Sequence, residues 1–146
     1  MAKRSATANW NGGLTEGNGT MEFGSGAFSG QYSFKSRFEE GDGTNPEELI
    51  AAAQAGCYSM QLSAGLEKGG HTADSVETTA DVHLTPKEGG GFEISRIDLH
   101  TRGRVSGIDQ DEFERFAAEA KEGCLVSAAL AGVPEINVDA TLEVER

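Results

Sequence analysis

Two cysteines, Cys57 and Cys124, are the residues of this chain best suited to covalent chemistry. A thiolate, not a thiol, attacks a peroxide or a disulfide. At an ordinary pKa of ~8.5, only about 3% of a cysteine is ionised at neutral pH. A nearby arginine is the plainest way to raise that fraction, and a shift of ~3 units corresponds to about 4 kcal/mol favouring the charged form. Oxidised to a sulfenic acid, one cysteine can condense with a second thiol to a disulfide. One activated and one resolving cysteine thus make a complete minimal peroxidase. The competing reading is two packed thiols, because free cysteine is among the most buried residue types and behaves as a small hydrophobe. Without their flanking residues, two cysteines on apolar helical faces favour packing.

The elements that must position them are legible from punctuation and period. Glycine clusters at Gly12-Gly13, Gly17 to Gly19 and Gly24 to Gly30 separate three predicted strands, about Ser5 to Asn11, Thr20 to Phe23 and Gln31 to Phe38. A helix is expected from Pro46 to Lys68, with Asn45 as N-cap, Pro46 at the first helical position and Gly69-Gly70 as the stop. Leu49, Ala53, Cys57, Met60 and Ala64 share one face, and the helix is apolar almost all round, the pattern of a buried element. Val76 to Leu84 alternates as a half-buried strand. Its partner, Phe92 to about Val105, slips its alternation between Ile94 and Ile97, which predicts a bulge. A second helix starts at Asp109, with Glu112 completing a capping box and Phe113, Phe116, Ala117 and Ala120 as its apolar face. Gly123 breaks it before a short piece from Cys124 to Ala131, and a last strand runs from Ile136 to about Glu143. The order is βββ-α-ββ-α-β, an α+β pattern with mostly antiparallel pairing.

The 146 residues fit one domain spanning 1–146. Barely two-fifths of the chain is apolar, so an apolar helix is hard to surround within one copy and a dimer is expected. A net charge of −12 argues against nucleic acid, whose binding depends on Lys and Arg neutralising phosphates, and against an anionic membrane surface. The opening MAKRSATANW has no apolar run behind its basic residues, and no stretch reaches the ~20 apolar residues of a membrane span. A cytoplasmic location is the expectation, where a disulfide is transient and catalytic rather than structural. His71, His83 and His100 show no ligand spacing with each other or with the cysteines, so no metal or other cofactor is expected. The glycine runs Gly24-Ser25-Gly26 and Gly89-Gly90-Gly91 read as turns, since neither opens a helix or carries a following lysine.

The segment Arg37-Phe38-Glu39-Glu40-Gly41-Asp42-Gly43-Thr44-Asn45-Pro46-Glu47-Glu48-Leu49, continuing through Gly56-Cys57-Tyr58-Ser59-Met60, resembles the signature of the OsmC/Ohr family of thiol-dependent hydroperoxide reductases. Lys121-Glu122-Gly123-Cys124-Leu125-Val126-Ser127 is similar to that family's second motif, and Thr78 to Val82 and Gly107-Ile108-Asp109 look closer to the OsmC branch. The resemblance implies an intertwined homodimer, with antiparallel sheets around central helices and two active sites at the subunit interface. It also implies organic hydroperoxides as substrates, reduced to alcohols, with hydrogen peroxide reduced more weakly. By this resemblance Cys57 is the peroxidatic thiol, Cys124 the resolving one, and Arg37 and Glu48 match the family's charged pair. The reductant implied is a dithiol of lipoyl type. Two departures stand out: Leu125 follows the second cysteine where proline is usual, and Gln54 holds a position often occupied by histidine.

In the mechanism so implied, Arg37 stabilises the Cys57 thiolate and the leaving alkoxide, and Glu48 orients the guanidinium through a bidentate pair. Glu48 and Cys57 are nine residues apart on one helix, about 13.5 Å along its axis and ~180° around it. They cannot meet within one straight helix, so Glu48 would serve the cysteine of a second subunit. Glu48 also fits a purely structural place as the third helical residue after Asn45, with Glu47 as the fallback carboxylate. Leu49, Ile50, Tyr58 and Met60 flank the first cysteine as core or, at a dimer interface, as pocket lining. The reading from a different class is a non-catalytic protein that binds hydrophobic ligands on the same fold and uses the cysteines only for packing.

Overall fold

The computed structural model describes residues 2–143. The chain divides into two compact units, one ending at Leu49 and the other beginning at Ile50, where the sequence reading has one domain.

The first unit opens with β1 (Ala6–Asn11), β2 (Asn18–Phe23) and β3 (Ser29–Tyr32), an antiparallel sheet in that order. The third strand stops at Tyr32, short of the expected Phe38, and the chain turns into a one-turn helix, α1 (Phe34–Phe38). Ser33 is the reason. Its side chain accepts from the Ser36 N–H at 3.1 Å, and Ser36 Oγ accepts from the Ser33 N–H at 2.8 Å. These reciprocal bonds satisfy two otherwise orphaned donors and nucleate the turn. The segment Gln31 to Phe38, following a glycine cluster, had read as a strand. Phe34 and Phe38 instead stack four residues apart on α1, with ring centroids 5.0 Å apart.

Gly43 carries the chain onward at φ +117°, a conformation closed to most residues, with the Gln31 carbonyl where a Cβ would stand. The helix α2 (Pro46–Lys68) then starts and stops where expected. Asn45 Oδ1 accepts from the Glu48 N–H at 2.7 Å, the N-cap bond.

The second unit has a three-stranded sheet in the order β4 (Ala73–Pro86), β5 (Phe92–Val105), β6 (Glu135–Glu143). The β4–β5 pairing is antiparallel and skips Ser95, which places the bulge where the alternation slipped. Beyond it Ile97, Leu99, Thr101, Gly103 and Val105 are buried, while Arg96, His100, Arg102 and Arg104 face out. The pairing of β5 with β6 is parallel, which the sequence reading had not resolved. Parallel neighbours need a crossover, supplied by α3 (Gln110–Gly123) and α4 (Leu125–Ala129). Asp109 caps α3 by accepting from the Glu112 N–H at 2.9 Å, and Phe113, Phe116, Ala117 and Ala120 are buried as expected.

Tyr58, Leu62 and Leu66 of α2 pack with Ile97, Leu99, Val105, Phe113 and Phe116 into the core of this unit. The buried stripe of α2 is therefore Gln54, Tyr58, Leu62 and Leu66, spaced by four. This corrects the expected face. Cys57 is half-buried, while Ala53, Met60 and Ala64 are exposed. The apolar residues of α2 are too evenly spread for composition to choose the inward side. Three polar ties choose it. Tyr58 OH donates to the Ala117 carbonyl at 2.8 Å, Ser59 Oγ donates to Thr78 Oγ1 at 2.7 Å, and Gln54 reaches Ser127. Among the described residues no helix is long and apolar enough to cross a membrane.

Candidate active site

The residues singled out from the sequence fall into a charged pair in the first unit and a thiol pair in the second.

Arg37 sits on α1, not on a strand as its surroundings had suggested. The link from α1 to the start of α2 is polar: Ser36 Oγ donates to the Thr44 carbonyl at 2.8 Å, and Asn45 Nδ2 donates to the Ser36 carbonyl at 3.0 Å. That clamp sets Arg37 against the first turn of α2, where Arg37 Nε donates to Glu47 Oε1 at 2.8 Å. The guanidinium also lies over the Phe38 ring, 5.1 Å from its centroid. The carboxylate beside Arg37 is thus Glu47, the fallback, and not Glu48. Consecutive helical residues point ~100° apart, so only one of the two can face α1. Glu48 instead accepts from Thr44 Oγ1 at 2.7 Å while its N–H bonds the cap. The reciprocal bond of a capping box has moved to the threonine hydroxyl. Glu47 is buried, and its Oε2 has no hydrogen-bond partner. Next to Arg37 a groove of about 220 Å³ is lined by Trp10, Leu14, Tyr32, Phe34 and Phe38.

Cys57 and Cys124 are both free thiols. Although 67 positions apart, they meet side chain to side chain, with Cys57 in a hydrogen bond to the Cys124 sulfur. Gly123 closes α3 and Cys124 takes an extended conformation, so that Cys124 ends one helix and caps the next. Its Sγ accepts from the Ser127 N–H at 3.5 Å. Burial opposes charge on Cys124, but hydrogen bonds from the Ser127 side chain and N–H, from Cys57 and from the Val126 N–H outweigh it. The thiol is held below its usual range. Burial, and then the charge of nearby Cys124, push the Tyr58 phenol well above its ordinary value. Leu125, standing where proline is usual, is 80% exposed at the first position of α4, so the missing ring removes no buried contact.

Two residues of this cluster were not picked out for chemistry in the sequence. Gln54 is fully buried and donates from Nε2 to Ser127 Oγ at 3.1 Å. Gln54 was noted only as a departure from histidine, and Ser127 only as part of a motif. A serine three residues after a helix-capping cysteine is the signal that was available.

Comparison with known proteins places the chain in a family. The model of the OsmC-like protein family matches residues 39–139. The chain is 45% identical over 137 residues to the Peroxiredoxin OsmC of Escherichia coli, covering 93% of this chain and 94% of that protein. It is 35% identical over 104 residues to the organic hydroperoxide resistance protein OhrA of Bacillus subtilis, covering 69% and 67%. Among solved structures, an organic hydroperoxide resistance protein OsmC from Legionella pneumophila superimposes with a TM-score of 0.69 at 25% identity, covering 99% of this chain and 100% of that one. An OsmC-like protein from Mycoplasma pneumoniae gives a TM-score of 0.76 at 20% identity, over 98% and 99%. The family match takes in Glu47, Cys57 and Cys124 together, and the chain belongs to the OsmC-like protein family.

Proposed function

We propose that this chain is a thiol-dependent peroxidase that reduces organic hydroperoxides to alcohols, and hydrogen peroxide more weakly. The observation that carries the reading is the contact of Cys57 with Cys124, two thiols brought together from distant parts of the sequence. The names of the relatives, a peroxiredoxin and organic hydroperoxide resistance proteins, support it.

The Cys57 thiolate attacks one peroxide oxygen. An S–O bond forms, the O–O bond breaks, and the alkoxide leaves and is protonated to the alcohol. Arg37 stabilises the thiolate and the charge growing on the leaving oxygen. Glu47 holds the guanidinium. Cys124 then condenses with the Cys57 sulfenic acid, and a dithiol, of lipoyl type by family resemblance, resets the pair. The groove beside Arg37 gives an apolar substituent somewhere to lie.

Glu47 precedes Cys57 by ten helical residues, about 15 Å of rise, so in this reading a second copy completes the site. Ala52, Ala53, Gly56, Met60 and Ala64 form an exposed apolar stripe along α2 that such a copy would cover in an intertwined homodimer. The chain then works as a single domain in a reducing compartment such as the cytoplasm. Glu48 keeps a structural role, its N–H donating to the Asn45 cap and its carboxylate accepting from Thr44.

The test is intact mass and free-thiol count after one equivalent of cumene hydroperoxide, with hydrogen peroxide in parallel. Loss of both thiols with a mass drop of two hydrogens, faster with the organic peroxide, is the expected result. Cys57→Ser abolishes turnover, and Cys124→Ser stops at a trapped sulfenic acid after one turnover. Two unreacted thiols in a folded sample would refute the peroxidase and favour a hydrophobic-ligand binder with packed cysteines.

A further inference from the structure

Gln54 presents an anomaly. It lies fully buried, and its Oε1 has no partner, while its Nε2 donates to Ser127 Oγ at 3.1 Å. Turning the amide over would satisfy the carbonyl at once, because Ser127 could donate its hydroxyl hydrogen to Oε1. Buried orphan acceptors are rare and call for a reason. A serine hydroxyl has one hydrogen to give. With the NH₂ of Gln54 facing it, Ser127 accepts from the amide and its own hydrogen is left for the Cys124 sulfur, with which the Ser127 side chain is hydrogen-bonded. The direction of donation then runs Gln54 to Ser127 to Cys124. Cys57 is hydrogen-bonded to the same sulfur, and the N–H groups of Val126 and Ser127 complete the set. A sulfur surrounded by donors is one held ready as an anion.

We propose that Ser127, oriented by Gln54, is a positioning residue that holds Cys124 Sγ as a thiolate-ready acceptor facing Cys57, and so sets the rate of the resolving step. In that step the Cys124 thiolate attacks the sulfur of the Cys57 sulfenic acid. An S–S bond forms, the S–O bond breaks, and hydroxide leaves with that electron pair and is protonated to water. The oxidant is the hydroperoxide already consumed. This role in resolution rests on the peroxidase reading above, whereas the state of Cys124 in the reduced protein does not. The titratable groups facing Cys124 are Cys57 and Tyr58, both from α2, and Tyr58 stays protonated because burial holds it high. The glutamine amide does not titrate, so its donation to Ser127 does not depend on pH.

The experiment is a pH titration of the reduced protein labelled with ¹³C at the cysteine Cβ, followed by NMR. Ser127→Ala raises the Cys124 midpoint so that its thiolate fraction at fixed pH falls about tenfold, the size of one lost charge-assisted hydrogen bond. Gln54→Met, close in volume but without the amide, moves it the same way, and Ser127→Thr restores it. In quenched-flow mass spectrometry after one equivalent of cumene hydroperoxide, Ser127→Ala slows disulfide formation about tenfold while the first oxidation of Cys57 keeps its rate. A Cys124 midpoint unmoved in both folded variants would overturn the inference. Equal slowing of both chemical steps would overturn it too, as the mark of a merely structural change. A wild-type protein that consumes no peroxide would refute the proposed function, and the titration would still decide whether Ser127 tunes Cys124.

Discussion

Replacing Arg37 and Glu47 one at a time should give unequal losses of stability, and the structure sets their order. Removing one partner of a fully buried ion pair costs about 3–5 kcal/mol, whereas exposed pairs contribute about 0–1 kcal/mol. This pair is lopsided, with the Arg37 side chain 40% exposed and that of Glu47 10%. In Arg37→Met the carboxylate is left buried with neither oxygen bonded to a cation, since Oε2 already lacks a partner. The expected loss is about 1–2 kcal/mol, between the two limits because water reaches the arginine side of the pair. In Glu47→Met the guanidinium turns to solvent, and the loss should stay within about 0.5 kcal/mol. The double variant should recover most of what Arg37→Met loses, since no buried charge remains. A double-mutant cycle also removes the contact of Arg37 with Phe38, about 0.5–1 kcal/mol, from the comparison. The assay is urea unfolding at one protein concentration, because association contributes to apparent stability, with midpoints compared at a common slope. Equal losses, or a larger loss for Glu47→Met, would refute the assignment of Glu47 as the buried member.

Gly103→Ala should destabilise by about 1–3 kcal/mol through overpacking, because the added methyl would overlap the fully buried ring of Phe113; a urea midpoint equal to that of the parent protein would contradict it. Met60→Glu, on the exposed stripe of α2, should leave the protomer folded but shift sedimentation toward a monomer and remove peroxide turnover; a fully active monomer would sink the two-copy site. The Asp98 carboxyl is held below its ordinary value of 3.8, chiefly by a hydrogen bond from Asn137 and then by His83 and Arg96, against some desolvation. A lowered carboxylate stabilises the fold above its ordinary pKa, and that contribution is lost as pH falls through the lowered one. Asp98→Asn should therefore flatten the acid limb of the stability–pH curve, and an unchanged limb would show the network to be inert.

Local signals carried much of the fold. Pro46 after Asn45 and the Gly69-Gly70 stop gave both ends of α2, and the slip between Ile94 and Ile97 gave the bulge at Ser95. What failed depended on partners distant in sequence. The face expected for α2 was the wrong one, since alanines lie all round the helix and the choice falls to bonds with Thr78, Ala117 and Ser127. The segment before Phe38 read as a strand from the glycines that precede it, and the reciprocal bonds of Ser33 and Ser36 turn it into α1. That turn decides which glutamate meets Arg37. Cys57 and Cys124 were legible as a pair through the motifs around them. The buried amide that orients their surroundings was not, because a glutamine in a helix normally faces water.

The parallel pairing of β6 with β5 has a consequence for the order in which the protein is made. Arg96 pairs with Glu135 and Leu99 with Val138, contacts that close only after the whole α3–α4 crossover exists. Long-range pairings of this kind form late, since loop closure must precede the contacts that reward it. On the ribosome Cys57 emerges 67 residues ahead of Cys124 and spends that interval as a solitary thiol on an unfinished helix. Until the C-terminal strand docks, oxidation of Cys57 has no neighbouring sulfur to capture it, and the nascent chain is more exposed to irreversible damage than the finished protein.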